Sequence, residues 1–380
     1  MVNKKRLIKT IQKLISLDSQ NPPGDERKIA DFVGSYLKRL GLKIKTYAFS
    51  DRRVNLVATL EGRQRQRTLL LTPHLDTVPA GKSWKRPPLT AKITGDRIYG
   101  LGSTDCKGNL ASGLEAIEAL VEEGIKLDYD LIFAATADEE SGSSLGLIPL
   151  LERKLLKADA AVVLDADDFE IVITQKGLMH LTVRIGGKKA HGAYPWLGIN
   201  AIDLAAKIII DLKSEHRDYA RNKYLHAPTI NVGTIKGGDK VNVVSDWCEF
   251  ELDFRFLAGS GEKEILRSLK KTITRHTANY KIQIQGIQDP YYIDPHHPLV
   301  SSLVAAMNSL KIKPKISGSE GATVITFFKA RNIPAIATGF GREGCAHIAD
   351  EYASLENLYK GSQVLVEFLK NYKFNRNFDS

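Results

Sequence analysis

The sequence is poor in cysteine. Its 380 residues include only Cys106, Cys248 and Cys345, and no two of these are spaced as Cys-x-x-Cys. Three scattered thiols form neither an even disulfide framework nor a thiolate cluster for a metal. Any metal bound by this chain would therefore be held by histidine and carboxylate side chains.

Long apolar runs are also missing. No stretch approaches the roughly 20 consecutive apolar residues that a membrane-spanning helix requires. The first residues are basic, but an amphipathic pattern follows them in place of the apolar core of a signal peptide. We therefore expect a cytoplasmic protein without a membrane partner.

Positive charge is present but not concentrated. The net charge of +10 comes from 54 basic and 44 acidic residues. The basic residues are scattered and are not interleaved with aromatic side chains, whereas a nucleic-acid site needs a basic patch or stripe. The pattern favours a solvated surface, and nucleic acid is not an expected partner.

The hydrophobic pattern predicts an α/β fold in two parts. Apolar strands alternate with helices in residues 1–176 and again in residues 291–380, which is typical of a mostly parallel sheet. Residues 177–290 instead show the order β-α-β-β-α-β of a ferredoxin-like α+β module. We predict a catalytic domain of residues 1–176 and 291–380, interrupted by an inserted domain of residues 177–290.

Polar residues follow the buried strand predicted at residues 69–72. His74 and Asp76 come directly after it and are two positions apart. Side chains at this spacing can point the same way, and a metal-ligating histidine usually donates its second ring nitrogen to a carboxylate. A strand that simply ends in a polar loop is the alternative interpretation of this stretch.

Other predicted elements also end in polar residues of the same kinds. They are Asp105 in a glycine-rich turn before a helix, Asp138, Glu139 and Glu140 after one strand, Asp165 after the next, and His347 before the last helix. Adjacent carboxylates repel one another unless cations compensate them, although such runs also occur in solvated loops. Ligand groups in α/β sheets gather at the carboxyl ends of strands.

The predicted site combines two imidazoles with three carboxylates, from His74, Asp105, Glu140, Asp165 and His347. This set suits zinc, cobalt or manganese. One divalent ion would leave the three carboxylates unbalanced, which favours two ions about 3.5–4 Å apart. Asp105 is then the natural bridge, and Glu139 is free to act as general base.

Four motifs, taken together and in order, resemble the co-catalytic zinc aminoacylase/carboxypeptidase family. They are His74–Pro79, Gly102–Gly108, Asp138–Glu140 and Ala346–Tyr352. That family includes acetylornithine deacetylase, succinyl-diaminopimelate desuccinylase, glutamate-releasing carboxypeptidase and several dipeptidases. The resemblance covers nearly the whole chain, and it implies a zinc-peptidase-like catalytic domain with an inserted lid and dimerisation domain.

The resemblance also implies ligand sets and catalytic roles. One ion would be held by His74, Asp105 and Asp165. The other would be held by Asp105, Glu140 and His347. Asp76 would orient His74, and Glu139 would be the acid/base.

Three residues of the inserted domain match family positions that face the substrate. His191 would stabilise the oxyanion in a partner subunit's active site, Asn242 would contact substrate, and Arg255 would bind its carboxylate. Without the resemblance, His191 is interpreted as a surface loop histidine. Arg255 is then one member of an ion pair on the sheet face with Asp253 or Glu251.

The chain departs from the family pattern at several positions. Leu101 and Cys106 replace an arginine and a methionine that are common around the bridging aspartate, and Asp165 replaces a glutamate. Aspartate still ligates metal, but its shorter side chain can alter the metal preference. Leu178 stands where the desuccinylase branch carries arginine, which disfavours a succinylated substrate.

The sequence thus predicts a di-metal hydrolase of small N-acyl amino acids or short peptides. It would cleave a linear amide bond with a metal-activated water and Glu139 as general acid/base, and deacylase and carboxypeptidase or dipeptidase types both stay open. The expected cofactors are two divalent ions, most readily zinc, and the expected assembly is a homodimer through the inserted domain. The alternative is a non-catalytic metal- or ligand-binding protein that retains the fold.

Overall fold

A computed structural model describes residues 1–64, 66–214, 219–321 and 323–375. The chain divides into two units: unit 1 comprises Met1–Ile173, Ile293–Ser317 and Phe327–Ser380, and unit 2 comprises Thr174–Tyr292 and Gly318–Thr326. The predicted boundaries assign residues 318–326 to the catalytic part. In the structure this segment contacts the start of unit 2, because Gln175 accepts hydrogen bonds from Thr323, and Lys176 pairs with Glu320.

The described residues form α-helices and β-strands with the following bounds. The α-helices are α1 (Lys4–Ser16), α2 (Arg27–Arg39), α3 (Lys107–Glu122), α4 (Leu147–Glu152), α5 (Ala201–Ser214), α6 (Glu262–Thr274), α7 (Pro298–Ser309), α8 (Ile325–Lys329) and α9 (Leu355–Asn371). The strands are β1 (Lys43–Ala48), β2 (Val54–Leu60), β3 (Thr68–Thr72), β4 (Lys92–Thr94), β5 (Arg97–Tyr99), β6 (Asp130–Ala135), β7 (Ala160–Leu164), β8 (Glu170–Gln175), β9 (Gly177–Gly186), β10 (Ala190–His191), β11 (Thr229–Gly237), β12 (Val243–Val244), β13 (Trp247–Phe256), β14 (Tyr280–Gln288), β15 (Tyr291–Tyr292), β16 (Lys315–Ser319), β17 (Ala335–Thr338) and β18 (Tyr352–Ser354).

Unit 1 is built on a sheet whose central strands are parallel. The order is β1-β2-β6-β3-β7-β17-β8, and β6, β3, β7 and β17 run in parallel. All five residues of β7 are buried, as are the last four of β3. Strands that are apolar on both faces are typical of a parallel sheet covered on both sides. The predicted α/β class with a mostly parallel sheet is confirmed.

Helix α3 begins directly after the Asp105 loop and is buried along most of its length. It packs against α1 and α9. On the sheet side, a small residue permits close packing: a Cβ added at Gly113 would lie 2.8 Å from the ring of Phe133 in β6. The packing of α3 therefore fixes the loop that precedes it.

Unit 2 has the predicted β-α-β-β-α-β order. Its main sheet runs β11-β13-β9-β14, with every neighbouring pair antiparallel. Alternate residues of β9 and β13, among them Val183 and Phe250, are buried in one apolar cluster with α5 and α6. This alternation is the period of a sheet with one covered face, and the α+β prediction for the inserted module is confirmed.

Strand β8 was not predicted from the sequence. It contains a buried β-branched run, Ile171–Ile173, and pairs antiparallel with β17. This apolar run is short and lies between acidic and glycine-containing segments. Hydrophobic periodicity alone cannot distinguish a strand from another buried segment in so short a run.

Among the described residues, no helix combines the length and apolar character needed to cross a membrane.

Candidate active site

Three neighbouring strands of unit 1 deliver polar residues to one edge of the sheet. His74 follows β3, Asp138 to Glu140 follow β6, and Asp165 follows β7. Because these strands are parallel neighbours in the order β6-β3-β7, their carboxyl ends lie side by side. The loop after β17, the other neighbour of β7, carries His347.

Asp105 lies between the two histidines. Its Oδ1 is 2.8 Å from His74 Nε2, and its Oδ2 is 3.1 Å from His347 Nε2. His347 Nε2 is also 3.1 Å from Glu140 Oε2, and His74 Nε2 is 3.9 Å from Asp165 Oδ1. The site therefore has two lobes, one at each histidine, that share the Asp105 carboxylate.

The five predicted ligands thus lie together in unit 1. Possible ligand atoms of Asp105, Glu140 and His347 lie within 4.8 Å of one another. The same limit holds for His74, Glu139 and Asp165. The prediction placed Asp105, not Glu139, in this second group, and both carboxylates are close to His74.

The two histidines differ in exposure. The His74 side chain is 2% exposed, whereas that of His347 is 53% exposed. His74 Nδ1 lies 3.0 Å from the main-chain oxygen of Asp76. Since a carbonyl oxygen only accepts hydrogen bonds, Nδ1 donates this bond, and Nε2 is directed at Asp105, where it could ligate a metal.

The carboxylate of Asp76 does not make the contact with His74 that the spacing of the two residues predicts. Its carboxylate is 3.6 Å from His74 Nδ1, beyond a hydrogen bond, while its main-chain oxygen makes the contact. The carboxylate accepts from the main-chain N–H groups of Glu139 at 3.1 Å and Glu140 at 3.2 Å. It also accepts from Asn21 Nδ2 at 2.8 Å. Asp76 thus holds the loop that carries both glutamates.

Crowded carboxylates perturb the ionisation of the site. Burial raises the pKa of Glu139 well above its usual range, and the charge of Asp165 raises it further. Burial and the charge of Asp105 raise the pKa of Asp165 to about 7. Burial also opposes ionisation of Asp105, but hydrogen bonds with His347 and His74 hold its pKa below the usual range. The site carries excess negative charge, which fits bound divalent cations.

The loop around Asp105 is fixed by a residue whose role sequence reasoning missed. Glu351 is 2% exposed, and its carboxylate accepts from the main-chain N–H groups of Gly102 (2.9 Å), Thr104 (2.7 Å) and Asp105 (3.1 Å). The one signal in the sequence was its position four residues after His347. Asn21 and Arg53, which contact the Asp138 side of the site, had no comparable signal.

The other predicted residues lie in unit 2. His191 of β10 is exposed and pairs with Val243 of β12, and the next residue, Gly192, donates to the main-chain oxygen of Asn242. The ribbon therefore brings His191 and Asn242 close together. Arg255 forms two hydrogen bonds with Asp253, at 2.7 and 3.0 Å. The sheet-face ion pair considered for Arg255 is therefore formed.

Comparison with known sequences identifies relatives over nearly the whole chain. The sequence profile of peptidase family M20/M25/M40 matches residues 70–371. A succinyl-diaminopimelate desuccinylase from Orientia tsutsugamushi is 28% identical over 372 residues, covering 94% of both chains. An acetylornithine deacetylase from Pasteurella multocida is also 28% identical, covering 93% of this chain and 94% of its own.

Solved structures share the fold. An aminopeptidase PepT from Bacillus cereus superposes with a TM-score of 0.82 at 23% identity, covering 97% of this chain and 98% of that one. A tripeptidase from Staphylococcus aureus gives a TM-score of 0.81 at 25% identity with the same coverage. These matches include the inserted module, and the family resemblance predicted from four motifs is confirmed.

Proposed function

Because the chain belongs to peptidase family M20/M25/M40 and is thus a metal-dependent amidohydrolase, we propose that it hydrolyses a linear amide bond in small N-acyl amino acids or short peptides. The observation that carries this proposal is the Asp105 carboxylate, which places one oxygen against each of two histidines. A carboxylate shared in this way is suited to bridge two cations.

The donor set fits two divalent cations. His74, Asp105 and Asp165 would hold one, and Asp105, Glu140 and His347 would hold the other. Imidazole and carboxylate donors without thiolate favour zinc, with cobalt or manganese as alternatives. When bound, the cations supply Lewis-acid polarisation of the scissile carbonyl and lower the pKa of water.

Glu139 is the proposed acid/base. Its side chain is close to both His74 and Asp165, and its raised pKa suits a group that must accept a proton and then release it. It takes the proton of the attacking water and delivers it to the leaving amine. Asp76 holds Glu139 in place through the main-chain hydrogen bond, which keeps the carboxylate directed at the site.

We further propose that unit 2 supplies substrate contacts and a dimer interface. His191 would stabilise the oxyanion of a partner subunit, and Asn242 and Arg255 would contact substrate. An edge strand, β11, and exposed Ile202 and Ile235 favour association with a second copy. Unpaired buried cysteines favour a cytoplasmic location.

A substrate panel separates the activities that the family allows. Purified protein would be assayed with N-acetylornithine, N-succinyl-diaminopimelate, other N-acyl amino acids, dipeptides and tripeptides, with zinc or cobalt added. We expect hydrolysis of one class and about two metal ions per chain by elemental analysis. A protein that binds no metal after supplementation and cleaves none of these amides would contradict the proposal.

Glu139→Gln tests the acid/base assignment. Turnover should fall at least about 100-fold because glutamine cannot accept and deliver the proton, while metal content persists. Glu152→Gln, on the exposed surface of α4, is the control and should keep wild-type turnover. Turnover of Glu139→Gln near that of the control would remove Glu139 from its role.

A further inference from the structure

Arg53 is a buried arginine next to the loop that carries Glu139. It directly precedes β2 and is 7% exposed. Its Nη2 lies 2.9 Å from Glu26 Oε1 and 2.9 Å from Asp138 Oδ1. Its Nη1 donates to Asn21 Oδ1 at 3.1 Å. The guanidinium thus joins the segment of Asn21 and Glu26 to Asp138 in the loop after β6.

Asp138 connects Arg53 to the loop that carries Glu139 and Glu140. Its φ is +65°, and its Oδ2 accepts from Ser144 Oγ at 3.1 Å and from Leu145 N at 2.8 Å. The Asp138 carboxylate therefore closes a loop in which Glu139 and Glu140 are the next two residues. One oxygen is held by Arg53 and the other by the far end of the loop.

Asn21 connects Arg53 to Asp76. Asn21 Nδ2 donates to Asp76 Oδ2 at 2.8 Å, and Asp76 accepts from the main-chain N–H groups of Glu139 and Glu140. Asn21 is fixed in turn, because its own N–H donates to Thr77 O at 2.7 Å. Arg53 therefore acts on Glu139 and Glu140 from both sides, through Asp138 and through Asn21.

The turn before α2 is shaped to admit the guanidinium. Gly24 has a φ of +78°, and a Cβ added there would lie 1.9 Å from Arg53 Nη1. A side chain at this position would displace Arg53. Glycine is needed here both for the backbone conformation and for the space.

Charge explains why a guanidinium occupies this place. The buried carboxylates of Glu26, Asp76 and Asp138 surround it, with Asp76 Oδ2 at 4.0 Å from Nη2. Burial raises the pKa of Glu26 to about 7 although Arg53 opposes this rise. The planar fork of arginine can meet several oxygens at once, which the point charge of lysine cannot.

We propose that Arg53 is a positioning residue that fixes Glu139 and Glu140 through Asp138 and Asn21. The roles assigned to these two glutamates, acid/base and metal ligand, rest on the function proposed above. The positioning itself is a property of the protein chain and can be measured without turnover.

Arg53→Met tests the positioning. We expect hydrogen exchange in a peptide spanning residues 136–147 of the metal-free protein to become at least about tenfold faster, since three loop amides lose their fixed acceptors. Cobalt affinity, followed by titration, should weaken about 10–100-fold, the range known for groups that orient metal ligands. Arg53→Lys keeps the charge without the fork and should give intermediate values in both measurements.

Two further variants separate positioning from charge balance. Arg53→Met combined with Glu26→Gln removes the guanidinium together with one of its carboxyl partners, so it should recover part of the folding stability but keep the fast exchange and weak cobalt binding. Arg6→Met is the matched control, because Arg6 also pairs with several carboxylates of unit 1 but contacts none at the site. It should leave exchange at residues 136–147 unchanged.

Slow exchange and wild-type cobalt affinity in Arg53→Lys and in the double variant would overturn the proposal. Recovery of both measurements in the double variant would assign Arg53 to charge compensation alone. Wild-type protein without amide hydrolysis would instead overturn the proposed function, and the exchange data would stand apart from that result.

Discussion

Glu351 shows how one side chain can connect two ligands that are distant in sequence. It follows His347 by four residues, and its carboxylate accepts three main-chain N–H groups around Asp105. These hydrogen bonds therefore connect the loop of Asp105 to the segment that carries His347. Loss of this carboxylate should therefore affect both lobes of the site.

We expect Glu351→Gln to lower the free energy of unfolding by about 1–3 kcal/mol, because an amide nitrogen would face a main-chain donor in a buried place. Metal affinity should fall about tenfold or more. Denaturant unfolding and metal titration measure the two effects. Glu356→Gln is the control, since Glu356 is half-exposed and pairs with Lys4 at the surface. Equal stability and metal affinity of the two variants would exclude this role of Glu351.

At the scale of elements, helix α9 supports the start of the His347 loop. A Cβ added at Gly361 would lie 2.1 Å from the ring of Phe340, which is fully buried. Phe340 N also donates to Asn109 Oδ1 of α3 at 2.7 Å. Two helices therefore fix the segment that leaves β17.

Gly361→Ala should destabilise unit 1. Overpacking of this kind costs about 1–3 kcal/mol, whereas the gain in helix propensity is about 1 kcal/mol, so the clash outweighs the gain. Gly34→Ala in α2 is the control, because its nearest contact would be 3.2 Å away and the side chain of Leu56 can adjust. Urea unfolding of both variants gives the comparison, and a stabilised Gly361→Ala would contradict the packing described.

The elements also show what the sequence could and could not predict. His74, Asp105 and Asp165 follow apolar strands or glycine-rich turns, so local chemistry was enough to predict that they lie close together. Arg53 and Glu351 act through contacts with residues far along the chain, which no local pattern reveals. For Asp76 the spacing indicated the correct neighbour, but only the structure shows that its main-chain oxygen makes the contact with His74.

At the scale of the whole molecule, we expect a homodimer through unit 2. Strand β11 is an edge of its main sheet, and Ile235 on this strand is 51% exposed. An edge strand with apolar side chains favours pairing with another copy. If His191 acts in a partner's site, dissociation should abolish turnover and leave metal binding in unit 1 intact.

Ile235→Asp should convert the dimer to a monomer, because a carboxylate at this edge would be buried without a partner. Sedimentation velocity measures the mass. Ile287→Asp is the matched control, since Ile287 is 40% exposed on β14 at the opposite edge of the same sheet. A wild-type monomer, or a dimer that tolerates Ile235→Asp, would exclude this interface.

The two histidines differ in exposure, so one lobe of the site is open to solvent and the other is enclosed. A dissolved chelator or a competing ion arrives first at the open imidazole of His347, whereas His74 is enclosed by protein. Exchange of a bound cation with the medium should therefore be fast on one side and slow on the other. Purified protein could then contain a different metal in each lobe, because the two lobes would exchange their ions at different rates.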